Sequence, residues 1–182
     1  AYLRGEYHMA AFNQGEVKSE VADAVREYSE AVKLDPDFAL AWAHLAHAQV
    51  FLRGMIIDDP ALKARLQTDA KASVARALAL QPDLADAYIA QGIYDFFAGH
   101  KPKAALQTFE KARALQPQTA RASWFIGYVL SALGDDEGAM RAYQQAQVLD
   151  PKHPTVQLAG GAQYLHRFAQ AEALYKRALA LA

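Results

Sequence analysis

Two histidines, His44 and His47, stand three residues apart and have the spacing best suited to metal chemistry. On a helix this spacing places both imidazoles on one face, where they could bind the same ion. A zinc site needs further ligands, however, and no HExxH motif or acidic partner accompanies them at a suitable spacing. We therefore interpret both residues as groove-facing or partly packed helix side chains and predict no metal site and no cofactor.

A second candidate for chemistry is the acidic run Asp135, Asp136 and Glu137. Carboxylates in a row could act as general acid and base or bind calcium, but this run lacks the alternating ligand spacing of an EF-hand. It follows Gly134 directly, and we interpret the glycine as a helix end and the acids as the start of the next helix. Without nucleotide-binding glycine motifs or a GxSxG motif, the sequence predicts no catalytic residue and a protein that is not an enzyme.

The composition of the chain limits the classes of partner that it could bind. The chain of 182 residues is 53% hydrophobic, carries a net charge of −1 and has no cysteine. Near-neutral charge argues against a nucleic-acid partner, which requires a basic face. No apolar run approaches the roughly 18 residues of a membrane span. We expect a soluble protein, and the cytoplasm is slightly favoured over the bacterial periplasm. Because the sequence begins at Ala1, we expect a processed product or an excised fragment.

A short sequence motif is repeated along the chain. In each copy, alanine is followed four residues later by a larger apolar residue, three later by alanine and five later by proline. These spacings put the first three residues on one helix face, and the proline marks a helix boundary. The copies are Ala24/Tyr28/Ala31/Pro36, Ala70/Val74/Ala77/Pro82, Ala105/Phe109/Ala112/Pro117 and Ala139/Tyr143/Ala146/Pro151, with a fifth beginning at Ala171/Tyr175/Ala178.

A small residue follows each of these prolines by ten positions. Glycine within a helix costs up to about 1 kcal/mol, so a close helix crossing is the expected compensation. The repeating unit is thus predicted to be a pair of antiparallel helices. The small residues are Ala46, Gly92, Gly127 and Gly161.

This pattern resembles the tetratricopeptide repeat, with its Trp/Leu/Gly/Tyr signature on the first helix, Ala/Phe/Ala on the second and closing proline. The resemblance implies an all-α, right-handed α-solenoid superhelix of about five helix-turn-helix repeats, forming one domain over 1–182. The opening of the chain also resembles the repeat segments that follow effector domains in bacterial signalling proteins. The implied repeats are about 1–36, 37–82, 83–117, 118–151 and 152–182.

The second repeat is longer than the others. Pro36 and Pro82 lie 46 residues apart, whereas the next two intervals are 35 and 34 residues. The extra sequence lies near 54–61, where Asp59 and Pro60 read as an N-cap and a first helical residue. We therefore predict a long helix from about 60 to 80. The loop residues before it, 55–57, either fold back over the body or form a small docking knob.

Stacked helix pairs of this kind line a concave groove with the first helix of each pair. An apolar, aromatic groove suits an amphipathic helix or an extended apolar peptide. The alternative is that its rings pack on the neighbouring repeat. Counting along the first helices predicts these groove residues: His47, Asp86, Ile89, Ile93, Phe96, Arg121, Trp124, Tyr128 and Leu158.

The resulting functional hypothesis is a non-enzymatic scaffold that binds a partner protein or peptide. The sequence lacks the Lys, Asn and Arg set with which some family members clamp a peptide carboxylate. The alternative is a sensory or oligomerisation segment of a larger bacterial cyclase, kinase or transcriptional regulator. In that case the C-terminal end, where Leu174, Leu179 and Leu181 need cover, would support self-association.

Overall fold

The computed structural model describes residues 1–13, 18–55 and 58–150, and over these ranges the chain is helical with no strand. Within them, eight α-helices and one π-helical turn follow one another, joined by short links. They are α1 (Tyr2–Asn13), α2 (Lys18–Leu34), α3 (Ala39–Met55), α4 (Pro60–Leu80), α5 (Ala85–Ile93), the π-turn (Tyr94–Ala98), α6 (Pro102–Leu115), α7 (Ala120–Ala132) and α8 (Asp136–Leu149).

The described helices form four successive pairs, in which α1, α3, α5 and α7 are the first helices and α2, α4, α6 and α8 the second. Within each pair the two helices pack closely, and neighbouring pairs pack through α2 with α3, α3 with α5 and α6 with α7. The predicted all-α solenoid of helix pairs is confirmed. The predicted fifth repeat, 152–182, and two residues of the 55–57 loop lie outside the described residues.

Close packing within the third and fourth pairs depends on glycine. A Cβ atom on Gly92 would lie 2.6 Å from the Phe109 ring, and one on Gly127 would lie 2.6 Å from the Tyr143 ring. The ring of the second helix therefore occupies the space that a side chain on the first helix would need. This confirms the close helix crossing predicted at Gly92 and Gly127, whereas Gly161 lies outside the described residues.

Helix ends also follow the sequence. Asp59 accepts a hydrogen bond from the Leu62 backbone N–H at 2.8 Å and Pro60 is the first residue of α4. Gly134 takes a positive φ of 84° after α7, and Asp135 accepts a hydrogen bond from the Gly138 N–H at 2.8 Å. The long helix over 60–80 and the glycine helix end before the acidic run are both confirmed.

The π-turn ends the third repeat's first helix and is held by α3 and α4. The Gly99 N–H donates to the carbonyl of Tyr94, five residues back, at 2.8 Å. Arg53 then donates to the Phe97 carbonyl at 3.4 Å, and Gln67 donates to the Ala98 carbonyl at 3.3 Å. These side chains satisfy carbonyls that a helix end leaves without partners. The π-turn is thus fixed from two neighbouring helices.

Candidate binding surface

Four polar side chains, one from each first helix, form a connected row across the repeats. His44 on α3 bonds Glu6 on α1 through Nδ1, and its Nε2 lies 3.4 Å from Oδ1 of Asp86 on α5. Arg121 on α7 donates from Nη1 to the same Asp86 oxygen at 3.0 Å. We call Glu6, His44, Asp86 and Arg121 the polar row.

A second row of aromatic side chains runs beside it, also with one residue per repeat. Phe12 contacts Phe51 with ring centroids 6.1 Å apart, Phe51 contacts Phe97 at 5.9 Å, and Phe97 contacts Tyr128 at 5.6 Å. We call these four residues the aromatic row. At its end, Trp124 stacks on Tyr128 at 5.5 Å and 28°, and Phe96 meets the same ring edge-on at 5.5 Å.

One hydrogen bond joins two first helices that are not neighbours in the stack. His47 on α3 accepts a hydrogen bond at Nδ1 from Nη2 of Arg121 on α7, 3.2 Å away, although a whole repeat separates these helices in sequence. First helices of non-adjacent repeats come within reach of each other only on the side toward which a solenoid bends. We call the side of the stack that carries His47 and Arg121, together with the two rows beside them, the inner face.

The charges of the polar row stabilise one another. Burial alone would raise the pKa of Asp86, but the hydrogen bond from His44 and the charge of Arg121 outweigh it and hold that pKa below its usual value. Burial would likewise lower the pKa of His44, yet hydrogen bonds to Asp86 and Glu6 raise it. Burial and then the Arg121 charge push the pKa of His47 well below its usual value. These surroundings thus favour the charged form of His44 and the neutral form of His47.

The structure brings two groups of predicted groove residues together. His47, Asp86 and Arg121 are joined by hydrogen bonds on the inner face. Phe96, Trp124 and Tyr128 form one aromatic cluster beside them.

The remaining three predictions have other outcomes. Ile89 and Ile93 are 1% and 0% exposed and belong to the core, because the neighbouring first helices approach closely enough to cover them. This is a correction to their assignment as groove surface. Leu158 lies outside the described residues.

Several inner-face residues were missed by counting from prolines. Glu6 and Phe12 lie on α1, which no proline precedes, so the count had no starting point there. His44 was interpreted as a groove-facing or partly packed side chain, but its carboxylate partners come from helices distant in sequence. Phe51 and Phe97 could have been found from the sequence, because each lies 15 residues after a proline.

Three further observations describe the polar groups and helices of the described residues. Within residues 1–13, 18–55 and 58–150, no group of three or more histidine and acidic side chains could hold a metal ion. The buried atoms His47 Nε2 and Trp124 Nε1 have no hydrogen-bond partner among the described residues. None of the helices in those ranges combines the length and the apolar character that crossing a bilayer requires.

Comparison with known proteins agrees with this architecture. Residues 89–154 match the family model described as "Tetratricopeptide repeat". A thermophilic TPR protein of Thermus thermophilus, TTC0263, superposes with a TM-score of 0.67 at 19% identity, covering 80% of this chain and 73% of that one. MamA superposes with a TM-score of 0.54 at 23% identity, covering 87% and 85%.

Because the sequence identities are below 25%, the two superpositions show similarity of fold only. No curated protein sequence matches the chain. The family match over 89–154 adds sequence evidence to the four described helix pairs, their closing prolines and their glycine-to-ring packing. Over residues 89–154 the sequence matches the tetratricopeptide repeat, and the described helix pairs share the fold of known tetratricopeptide-repeat proteins.

Proposed function

We propose that this protein is a non-enzymatic scaffold that binds a partner protein or peptide on its inner face, with the aromatic row as the main contact. One observation carries the proposal: Arg121, Trp124 and Tyr128 stand at i, i+3 and i+7 on α7 and share its inner side. Arg, Trp and Tyr are the residue types that most often dominate binding energy at protein interfaces.

The rings are well placed for such a role. Tyr128 is 37% exposed, and it is held between Trp124 and the rings of Phe96 and Phe97. Beneath them, Phe125 stacks on the buried Phe109 with centroids 5.0 Å apart. A rigid aromatic surface loses little conformational entropy when it is covered, so its apolar area contributes efficiently to binding.

The polar row favours apolar recognition over capture of a charged peptide end. Arg121 already donates to Asp86 and to His47, and Asp86 in turn accepts from Arg121 and His44. A ligand carboxylate would have to displace an internal partner from this arginine. We therefore expect binding that changes little between low and high salt, in contrast to a carboxylate clamp.

The test uses Trp124 as an intrinsic reporter. The second tryptophan, Trp42, donates from Nε1 to the Pro36 carbonyl at 2.9 Å, so a Trp42→Phe variant leaves one indole, on the inner face. A phage-displayed random peptide library is selected against this variant. Enriched peptides are then titrated while Trp124 fluorescence is followed.

The affinity of each peptide is also measured by calorimetry for two further variants, each of which replaces one tyrosine by alanine. Tyr128→Ala removes a ring from the aromatic row and should weaken binding at least tenfold, which is about 1.4 kcal/mol. Tyr7→Ala removes a ring that is 69% exposed and touches only His8 among the described aromatic side chains, and should leave affinity unchanged. Peptides that bind without a Trp124 signal and equally well to both variants would contradict the proposal.

A further inference from the structure

His44 lies between two carboxylates. Its Nδ1 bonds Oε1 of Glu6 on α1, and its Nε2 faces Oδ1 of Asp86 on α5 at 3.4 Å. An ionised carboxylate only accepts hydrogen bonds, so both ring nitrogens must carry a proton to serve both partners. The geometry itself therefore requires the imidazolium form of His44.

Charge balance leads to the same conclusion. With His44 protonated, the polar row holds two cations, His44 and Arg121, against two anions, Glu6 and Asp86. Loss of the proton leaves the row with an excess negative charge and takes the donor away from one carboxylate. The titratable and charged groups that face His44 from the surrounding helices are Tyr2 and Glu6 on α1, Tyr28 on α2, His47 on α3, Asp86 on α5 and Arg121 on α7.

We propose that His44 is a proton-dependent clasp that holds the first helix pair, α1 and α2, against the second and third repeats. In its charged form it bridges α1 to α5 across α3. In its neutral form it can donate to one carboxylate only, and the connection between the first repeat and the rest of the inner face is weakened.

The shift in the pKa of His44 supports this assignment. Burial opposes the charge, but the hydrogen bonds to Asp86 and Glu6 outweigh burial and raise the pKa. A group whose folded pKa is raised stabilises the fold fully below its unfolded pKa, about 6.5 for histidine, and loses that contribution as the pH rises through the folded value. The clasp is therefore closed below the unfolded pKa and opens as the pH rises through the raised folded value.

Opening affects the first repeat locally. Tyr2 packs on Phe38 with centroids 4.9 Å apart and Phe12 packs on Phe51 at 6.1 Å, and neither contact depends on the proton. We therefore expect α1 to open more often at alkaline pH without unfolding the repeats that follow. Because α1 supplies one end of both rows, the same proton controls how complete the inner face is.

Amide hydrogen exchange of the ligand-free protein tests the proposal. Protection of α1, corrected for intrinsic exchange rates, is compared with that of α7 between mildly acidic and alkaline pH. In the wild type, protection of α1 should fall about tenfold relative to α7 as His44 loses its proton, the size expected for one charge-assisted hydrogen bond. His44→Gln, which cannot be charged, should show weaker α1 protection with no such pH dependence.

A second histidine in the first repeat requires its own control, because His8 Nδ1 bonds Glu20 Oε2 at 2.6 Å. His8→Gln should keep the wild-type pH dependence of α1. In parallel, the Cε1–H resonance of His44 is titrated by NMR. A His44 that titrates at or below its ordinary pKa, or an α1 whose pH dependence survives in His44→Gln, would overturn the proposal whether or not the groove binds any partner.

Discussion

Nη2 of Arg121 in the fourth repeat donates to Nδ1 of His47 in the second repeat across 3.2 Å. The rings of His47 and Phe125 also meet edge to face at 6.3 Å across the same gap. In most repeat proteins each unit contacts only its neighbours, and stability approximates a sum over adjacent pairs. Here the concave side closes far enough for a contact that skips a repeat.

This contact should give a measurable coupling energy. In a double-mutant cycle with His47→Ala and Arg121→Ala, we expect the two losses of unfolding free energy to be non-additive by about 0.5–1.5 kcal/mol, the range for a partly buried hydrogen bond. Urea denaturation followed by circular dichroism provides the four stabilities. A matched cycle of Arg121→Ala with Lys103→Ala, an exposed residue on α6, should be additive, and additivity in both cycles would refute the link.

Glycine packing predicts opposite effects at two positions. Gly92→Ala should destabilise the fold by about 1–3 kcal/mol, because the new methyl group would overlap the ring of Phe109, which is fully buried and has no room to move. Gly54→Ala, also in a first helix, has no described atom within 4 Å of its added Cβ and should be neutral or stabilising by up to about 1 kcal/mol. Thermal denaturation of both variants tests this prediction. Equal changes in stability would mean that the close helix crossing at Gly92 is absent.

The carboxylates of the polar row predict acid sensitivity. The pKa of Asp86 is lowered in the folded protein, so its stabilising contribution is complete above the unfolded value, about 3.9, and is lost as the pH falls through the folded value. Asp86→Asn should therefore be less stable than the wild type at neutral pH and lose less stability on acidification. Urea midpoints measured at a series of acidic pH values test this.

A surface carboxylate serves as the reference for that series. Asp69 lies 3.9 Å from Arg65 on the exposed side of α4. Asp69→Asn should follow the wild-type curve at every pH. If Asp86→Asn parallels the wild type as well, the polar row does not contribute to acid sensitivity.

The N-cap of the long helix predicts a difference between two adjacent aspartates. Asp59→Ala should cost about 1 kcal/mol, because the Leu62 N–H loses its side-chain acceptor at the start of α4. Asp58→Ala, one residue earlier and exposed, should change stability by less than about 0.5 kcal/mol. Chemical denaturation of the two variants gives the comparison, and equal costs would show that Asp59 does not cap the helix.

The course of the helices was predictable because local signals mark it. Pro60 and the N-cap Asp59 begin α4, and Gly134 ends α7 with the positive φ that glycine adopts most readily. The pairing of a small residue with a ring was equally visible in the spacing from each proline. These features depend on a few residues close together in the chain, which is why a repeat can be read from sequence.

The inner face was predictable only in part, since it depends on how tightly the stack bends. Counting along the helix placed Ile89 beside Trp124, but the bend buries Ile89 and leaves the tryptophan on the inner face. The same bend joins His47 to Arg121, a pair separated by 74 positions. Curvature is a sum over many packing contacts, and no single stretch of sequence specifies it.

The π-turn accounts for the additional residue of the third repeat. Pro82 and Pro117 are 35 residues apart, one more than Pro117 and Pro151, while the three-residue links 99–101 and 133–135 are equal. The nine residues of α5 and the five of the π-turn make a first helix of 14, against 13 in α7. The additional residue is therefore absorbed as a wider helical turn. A repeat that is one residue longer is thus accommodated without a longer loop, and both Phe96 and Phe97 contact Tyr128.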